Sequence, residues 1–233
     1  MPLMRIAVLA SGRGTNLQAI LDAIEAKALQ ARVVAVFSDR REPLAFERAR
    51  QRGIPTVFLD PALFPNRREY DAALAQKVKS FSVDVVALAG FMRVLTPEFL
   101  REFPGRVLNI HPSLLPAFPG LEAQRQAWEY GVRFSGCTVH FVDQGVDTGP
   151  IILQSVVPVY EEDTPETLAE RILKVEHKTY PAALQLFAEG RLQIEGRRVR
   201  INWKGRTPLK PRDCVLEWLD TVRNFGREAL CFE

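Results

Sequence analysis

Cysteine is scarce: Cys137, Cys214 and Cys231 are the three in 233 residues. They are widely spaced, odd in number and form no C-x-x-C pair. That excludes a disulfide framework and a zinc site, and it points to a reducing compartment. No apolar run is long, since the longest, Val85 to Met92, falls far short of a membrane span. Charge of one sign is lacking too: a net +3 is too little to argue for nucleic acid as a general partner. Internal repeats and low-complexity segments are missing. The first strand begins within a few residues of Met1, which leaves no room for a signal peptide, so a cytoplasmic protein is expected. What remains is 47% hydrophobic and 25% charged, ordinary for a globular enzyme. The length suits one large domain, or a domain with an appendage.

The chain is organised around Arg106-Val107-Leu108-Asn109-Ile110-His111-Pro112-Ser113-Leu114-Leu115-Pro116. Val107, Leu108 and Ile110 suit a buried strand. Asn109 and His111 alternate with Ile110, so both side chains leave the strand's end on the same side. Pro112 confines His111 to extended backbone, and Pro116 and Pro119 stiffen the loop beyond it. An amide donor and a group that exchanges a proton near neutral pH are thus held together, a pair suited to stabilising an oxyanion and moving a proton. A strand end with a satisfied Asn and a surface His is the alternative.

Upstream, Arg5 to Ala10 reads as a buried strand running into Ser11-Gly12-Arg13-Gly14-Thr15-Asn16-Leu17 and then a helix. Leu17, Ile20, Leu21 and Ile24 fall at helical spacing, and Thr15 with Gln18 has the form of a capping box. A glycine loop at a helix N-terminus is a ready phosphate site. Leu17 stands where a dinucleotide fingerprint has its third glycine, and no lysine follows as in a P-loop, so one phosphate fits better than a pyrophosphate. A tight turn without ligand is the other reading. Strands at 32–38, 56–59 and 83–89 alternate with helices at 43–51 and 68–79. That pattern predicts an α/β fold: a doubly wound, mostly parallel sheet of about seven strands with helices on both faces. The fourth strand ends at Gly90-Phe91-Met92-Arg93-Val94-Leu95, where bulky apolar walls and one cation suit a flat acidic ligand; simple core is the competing interpretation.

Ser135 to Val142 alternates cleanly, with Thr138, His140 and Val142 on one face. His140 is given at most a supporting role behind the pair. Asp143 to Pro150 is a turn region bearing two carboxylates, Asp143 and Asp147. Ile151 to Val157 is a further strand, and Thr164-Pro165 starts a helix that runs to about Pro181 or past it with a kink. On that helix Glu176 either holds a substrate ammonium or is solvated. From Gly196 to Arg212 seven basic residues meet no acidic one, and beyond them Val215, Trp218, Leu219, Val222 and Phe225 form an amphipathic helical stripe. Such a tail either touches nucleic acid or packs on the body or on another subunit; the second is favoured, and a homodimer is one way to cover the stripe.

Taken together, Ser11-Gly12-Arg13-Gly14-Thr15-Asn16-Leu17, Leu88-Ala89-Gly90-Phe91-Met92-Arg93, Asn109-Ile110-His111-Pro112-Ser113-Leu114-Leu115-Pro116 and Asp147-Thr148-Gly149-Pro150 resemble phosphoribosylglycinamide formyltransferase, the folate-dependent enzyme of purine synthesis. The resemblance covers about the first 200 residues, and four motifs in order are far more specific than any one. It implies a Rossmann-like formyltransferase fold, with a phosphate-binding half over about 1–105, a folate and catalytic half over about 106–200, and an extension over 201–233. It also implies 10-formyltetrahydrofolate as co-substrate, small-molecule substrates, no metal, no membrane and no nucleic acid.

By the same resemblance, Asn109, His111 and Asp147 are the catalytic trio. Gly14, Thr15 and Asn16 bind the ribotide phosphate, and Glu176 meets its amine. Arg67, Met92, Arg93, Val94 and Leu95 contact the folate. Glu122 lies where some members carry a histidine and is given no role. Formyl transfer to an amine passes through a tetrahedral oxyanion and releases a proton, which suits Asn109 and His111, with Asp147 tuning His111 by raising its pKa so that it can donate to the oxyanion. Both loops, following strands, are expected at one edge of the sheet. Within the superfamily the competitors are formyltetrahydrofolate deformylase, which carries an N-terminal regulatory domain, and methionyl-tRNA formyltransferase, which carries a large C-terminal RNA-binding domain. A non-catalytic nucleotide-binding module is the alternative from another class.

Overall fold

The central strands are apolar on both sides, and the computed structural model, which describes residues 2–203, shows why. The first half of the chain alternates β1 (Met4–Leu9), α1 (Thr15–Glu25), β2 (Ala31–Ser38), α2 (Leu44–Arg50), β3 (Thr56–Phe58), α3 (Arg67–Lys79) and β4 (Val85–Leu88). Next come α4 (Pro97–Leu100), β5 (Val107–His111), α5 (Ala123–Tyr130), β6 (Phe134–Phe141) and β7 (Ile151–Pro158). The long α6 (Pro165–Ala188) and the short β8 (Leu192–Glu195) and β9 (Arg198–Ile201) complete the described chain. Successive residues of a strand face opposite ways, and the core splits accordingly. Ile6, Val8, Val36, Val85, Ala87, Leu108 and Ile110 pack with residues of α1, α2 and α6. Their neighbours Ala7, Leu9, Phe37, Val86, Leu88 and Val107 pack with residues of α3 and α4. Helices therefore cover both faces, as expected.

One sheet runs in the order β3-β2-β1-β4-β5-β6-β7-β9-β8. From β3 to β5 all pairings are parallel, whereas β6 is antiparallel to both β5 and β7. Among the described residues the count is nine rather than about seven. The two extra strands come from the region around the start of the basic segment; Leu192–Glu195 and Arg198–Ile201 each alternate apolar and polar residues, but over four residues only and amid basic ones. Gly196, at φ 60°, turns the chain between them, and Arg200 meets Glu195 at 2.6 Å. The basic residues there are thus not all without an acidic partner. The described residues up to Arg200 form one compact unit. The stripe from Val215 to Phe225 lies outside the described residues.

The two expected helix starts differ in outcome. Thr164 caps α6 and forms a reciprocal capping box with Thr167, and α6 continues through Pro181. At α1 the expected box of Thr15 and Gln18 does not form. Gly14 is the cap residue, at a left-handed φ of 69°, and Gln18 donates to Asp22 instead. No side chain caps α1, which leaves that end for an anion.

Candidate active site

In the sheet, β1 and β4 are neighbours, and the chain leaves them in opposite lateral directions. Their carboxyl ends form the crevice where open α/β sheets bind ligands. Ser11–Asn16 follows β1 and Gly90–Leu95 follows β4, so both glycine-bearing motifs open into it. Two cavities lie there. One, of about 460 Å³, is lined by Gly12, Arg13, Gly14, Thr15, Asn16 and Glu176 among others. The other, of about 380 Å³, is lined by Met92 to Leu95, Asn109, His111, His140 and Asp147 among others. They share Gly90, Met92, Ile110, Pro112 and Gln124 as a common wall.

In the first cavity, glycine is required at position 14. Its φ is left-handed, and a Cβ there would stand 2.7 Å from Ala45 Cα. Leu17, which replaces the third glycine of a dinucleotide motif, is fully buried in the core. Asn16 Nδ2 donates to Glu176 Oε2 at 2.7 Å, joining α1 to α6 across the chain. Glu176 is buried rather than solvated. Burial pushes its carboxyl above the ordinary range, partly offset by the Asn16 amide.

The second cavity holds the pair from β5. His111 is 4% exposed, which rules out a surface histidine. Its Nε2 donates to Phe118 O at 2.8 Å, since a carbonyl only accepts. Nδ1 faces Asp147 Oδ2 at 3.2 Å. Burial pulls the imidazole below its ordinary pKa and outweighs Phe118 and Asp147, which raise it. The expectation that Asp147 leaves His111 with a raised pKa is corrected here: the carboxylate acts in that direction, but desolvation is larger. Asp147 receives the Gly120 N–H at 2.8 Å. Burial pushes its carboxyl up, but His140, Gly120 and His111 together hold it below the ordinary range. Asn109 Nδ2 lies 3.3 Å from both Asp147 Oδ1 and His140 Nε2. Both contacts are at the long end for hydrogen bonds.

Asp147 arrives by an unexpected route. Because β6 is antiparallel, with Asn109 opposite His140 and His111 opposite Thr138, its end lies at the opposite edge from the end of β5. The 142–150 segment must turn back to bring Asp147 to His111. Asp143 accepts from Gly145 N and Thr148 Oγ1 to tie the turn. Gly149 packs where a side chain would strike the Phe141 carbonyl. Asp147 itself takes a left-handed φ of 53°, a conformation found in strained functional turns.

Other side chains matter more than their sequence pattern suggested. His140 is 3.5 Å from Asp147 and lines the second cavity, so it stands in the site itself. Thr138 Oγ1 accepts from Leu115 N at 3.0 Å and donates to Ser113 O at 2.7 Å, fixing the proline loop after His111. The strand face containing Thr138 and His140 was legible, but not its neighbours. Glu122, left-handed at φ 55°, lines the second cavity. Arg67 is exposed and lines neither cavity, and Arg93 stacks over Tyr70 at 4.7 Å.

With this geometry in place, comparison with known proteins is decisive. The formyl transferase family matches residues 4–184. The chain belongs to that family. Among curated formyl transferase relatives, the phosphoribosylglycinamide formyltransferase of Escherichia coli (strain K12) is 47% identical over 191 residues, covering 82% of this chain and 90% of that protein. The trifunctional purine biosynthetic protein adenosine-3 of Drosophila pseudoobscura pseudoobscura is 50% identical over 194 residues, which is 82% of this chain but 14% of that protein. The chain thus spans about a seventh of that longer relative. The crystal structure of glycinamide ribonucleotide transformylase 1 from Symbiobacterium toebii superposes with a TM-score of 0.84 at 59% identity, covering 85% of this chain and 94% of that one. Among the described residues, no group of three or more His, Cys, Asp or Glu is placed to hold a metal ion, and no helix is long and apolar enough to cross a membrane.

Proposed function

We propose that this formyl transferase moves the formyl group of 10-formyltetrahydrofolate to the amine of 5'-phosphoribosylglycinamide, giving formylglycinamide ribonucleotide and tetrahydrofolate. The observation that carries the reading is the common wall: two cavities meet along Gly90, Met92, Ile110 and Pro112, and Asn109 and His111 flank Ile110 on β5. The first cavity suits the ribotide. The uncapped end of α1 and the Gly12–Thr15 loop offer backbone N–H groups to a phosphate, and the buried Glu176 offers a carboxylate to an ammonium. The second suits the folate, with Met92 to Leu95 as its wall.

The ammonium held by Glu176 first loses one proton to water; attack of the neutral amine nitrogen on the formyl carbon then forms a C–N bond and places negative charge on the formyl oxygen. Asn109 supplies an N–H for it: both of its present contacts are long, and a charged acceptor displaces the weaker one. The amine's proton leaves through His111. Neutral at rest, the imidazole takes the proton at Nδ1, where Asp147 stands ready to accept the new hydrogen bond. The tetrahedral carbon then expels the folate nitrogen, which recovers that proton as tetrahydrofolate leaves. Neither a metal nor a covalent enzyme intermediate has a part in these steps.

Incubation with 10-formyltetrahydrofolate, with and without the ribotide, tests the reading. A transferase forms tetrahydrofolate only when the ribotide is present. Product formed with water alone indicates a deformylase, and no product in either case indicates a binding module.

A further inference from the structure

Ser11 opens the phosphate-loop motif, yet its hydroxyl points its bonds elsewhere. Ser11 Oγ accepts from Met92 N at 3.0 Å and donates to Asp39 Oδ1 at 2.6 Å. Its backbone N–H donates to Gly90 O at 3.0 Å. The lining of the first cavity starts at Gly12, one residue later. A serine hydroxyl has a single proton. Asp39 takes it, which turns an oxygen lone pair toward the Met92 amide. The far end of the same segment is tied independently, because Thr96 N donates to the buried Asp71 Oδ2 at 2.6 Å. Residues 90–96 are therefore held at two points by side chains from outside the segment, and all of Gly90 to Leu95 line the second cavity, against Gly90 and Met92 alone in the first.

We propose that Ser11, oriented by Asp39, is a positioning residue for the folate: it fixes the Gly90-Phe91-Met92 wall and makes no contribution to phosphate binding. This rests on reading the second cavity as the folate site. The place of Ser11 at the head of the glycine loop leaves two uses open for the hydroxyl, the phosphate or the wall. The geometry separates the two, because the hydroxyl is already committed to Met92 N and Asp39 Oδ1, and the lining of the first cavity begins only at Gly12. Losing the bond leaves the Met92 amide without its acceptor and frees the wall to move, which weakens a ligand that needs the wall preformed.

The test is calorimetric titration of wild type and variants with tetrahydrofolate and with glycinamide ribonucleotide, each alone. Ser11→Ala should raise the Kd for tetrahydrofolate about tenfold, the scale of one lost hydrogen bond, while moving the ribotide Kd less than about twofold. Asp39→Ala should act in the same direction more weakly, and the double variant should be no worse than Ser11→Ala. Ser11→Thr, which keeps the hydroxyl, should restore most of the affinity, and it guards against a general loss of folding. Equal losses for both ligands, or a loss for the ribotide alone, overturn the proposal. Val94→Trp fills the second cavity and checks the folate assignment itself. If it leaves tetrahydrofolate binding intact, the folate site is elsewhere and the proposal falls with it. If it abolishes binding while Ser11→Ala is silent, the Ser11 assignment alone is wrong.

Discussion

His111 Nδ1 stands 3.2 Å from Asp147 Oδ2, and burial keeps that imidazole on the neutral side of its ordinary balance. The carboxylate thus faces a base that becomes its ion-pair partner only after a proton arrives. Asp147→Asn keeps the shape, and asparagine tolerates the left-handed φ of 53° better than most residues. Formyl transfer in this variant should slow on the order of 10²-fold or more, the usual scale for a positioned acid–base group, with little change in substrate affinity. His111→Ala should be at least as severe, and the double variant should cost far less than the sum of the two. Single-turnover rates on all three settle it; additive losses would show that Asp147 acts elsewhere.

The same pair fixes a pH dependence. Folded His111 binds protons more weakly than the unfolded chain does, so between its lowered value and about 6.5 the unfolded state holds more protons and stability rises with pH. In the proposed reaction, the neutral form is the one that accepts the amine proton. The single-turnover rate at saturating ribotide should therefore fall on the acid side with a midpoint below about 6.5. Asp147→Asn removes an influence that raises His111, so it should move that midpoint lower still. An acid limb at or above the ordinary histidine value would contradict the neutral-base role.

Glu176 should report itself through ribotide binding. Burial raises its carboxyl above the ordinary range, while an incoming ammonium favours the ionised form. The ribotide Kd should thus rise as pH falls through the raised value, and binding should release a proton. Glu176→Gln should weaken the ribotide and flatten this dependence while leaving tetrahydrofolate affinity in place. Titrations in two buffers of different ionisation heat would count the protons, and an unchanged pH slope in the variant would remove Glu176 from the amine.

Thr138→Val keeps the volume and removes the hydroxyl that holds Leu115 N and Ser113 O. A buried N–H left unpaired costs about 1–3 kcal/mol. The denaturation midpoint should drop accordingly. Because this hydroxyl steadies the loop after His111, kcat should fall more than either KM rises. A variant with wild-type stability would show that the remaining ties, such as Gln154 Nε2 to Leu115 O, hold the loop without this hydroxyl.

The first half of the sheet was legible because parallel strands buried on both faces announce themselves as apolar runs. Met4–Leu9 and Val85–Leu88 needed no tertiary information to be placed. The Asn109–His111 pair was legible for a related reason: alternation in a strand fixes which side chains share a side. Leu192–Glu195 and Arg198–Ile201 were not, although each alternates apolar and polar residues, because four residues amid basic ones make too short a signal. Nor was the pairing of Asn16 with Glu176, 160 residues apart, or the turn of the 142–150 segment back toward His111.

By itself the sequence determined the local chemistry: a glycine loop before a helix, an amide and an imidazole on one side of a strand end, and a carboxylate in a turn. Those come from backbone geometry within a few residues, which neighbours in the chain dictate. Only the tertiary structure decided protonation and partnership. Whether His111 rests neutral depends on how much water the packed sheet excludes against the pull of one carboxylate. Whether Ser11 serves its own loop or the Met92 wall depends on which strands lie side by side. Desolvation and strand order are set by contacts distant in sequence, so no local pattern encodes them.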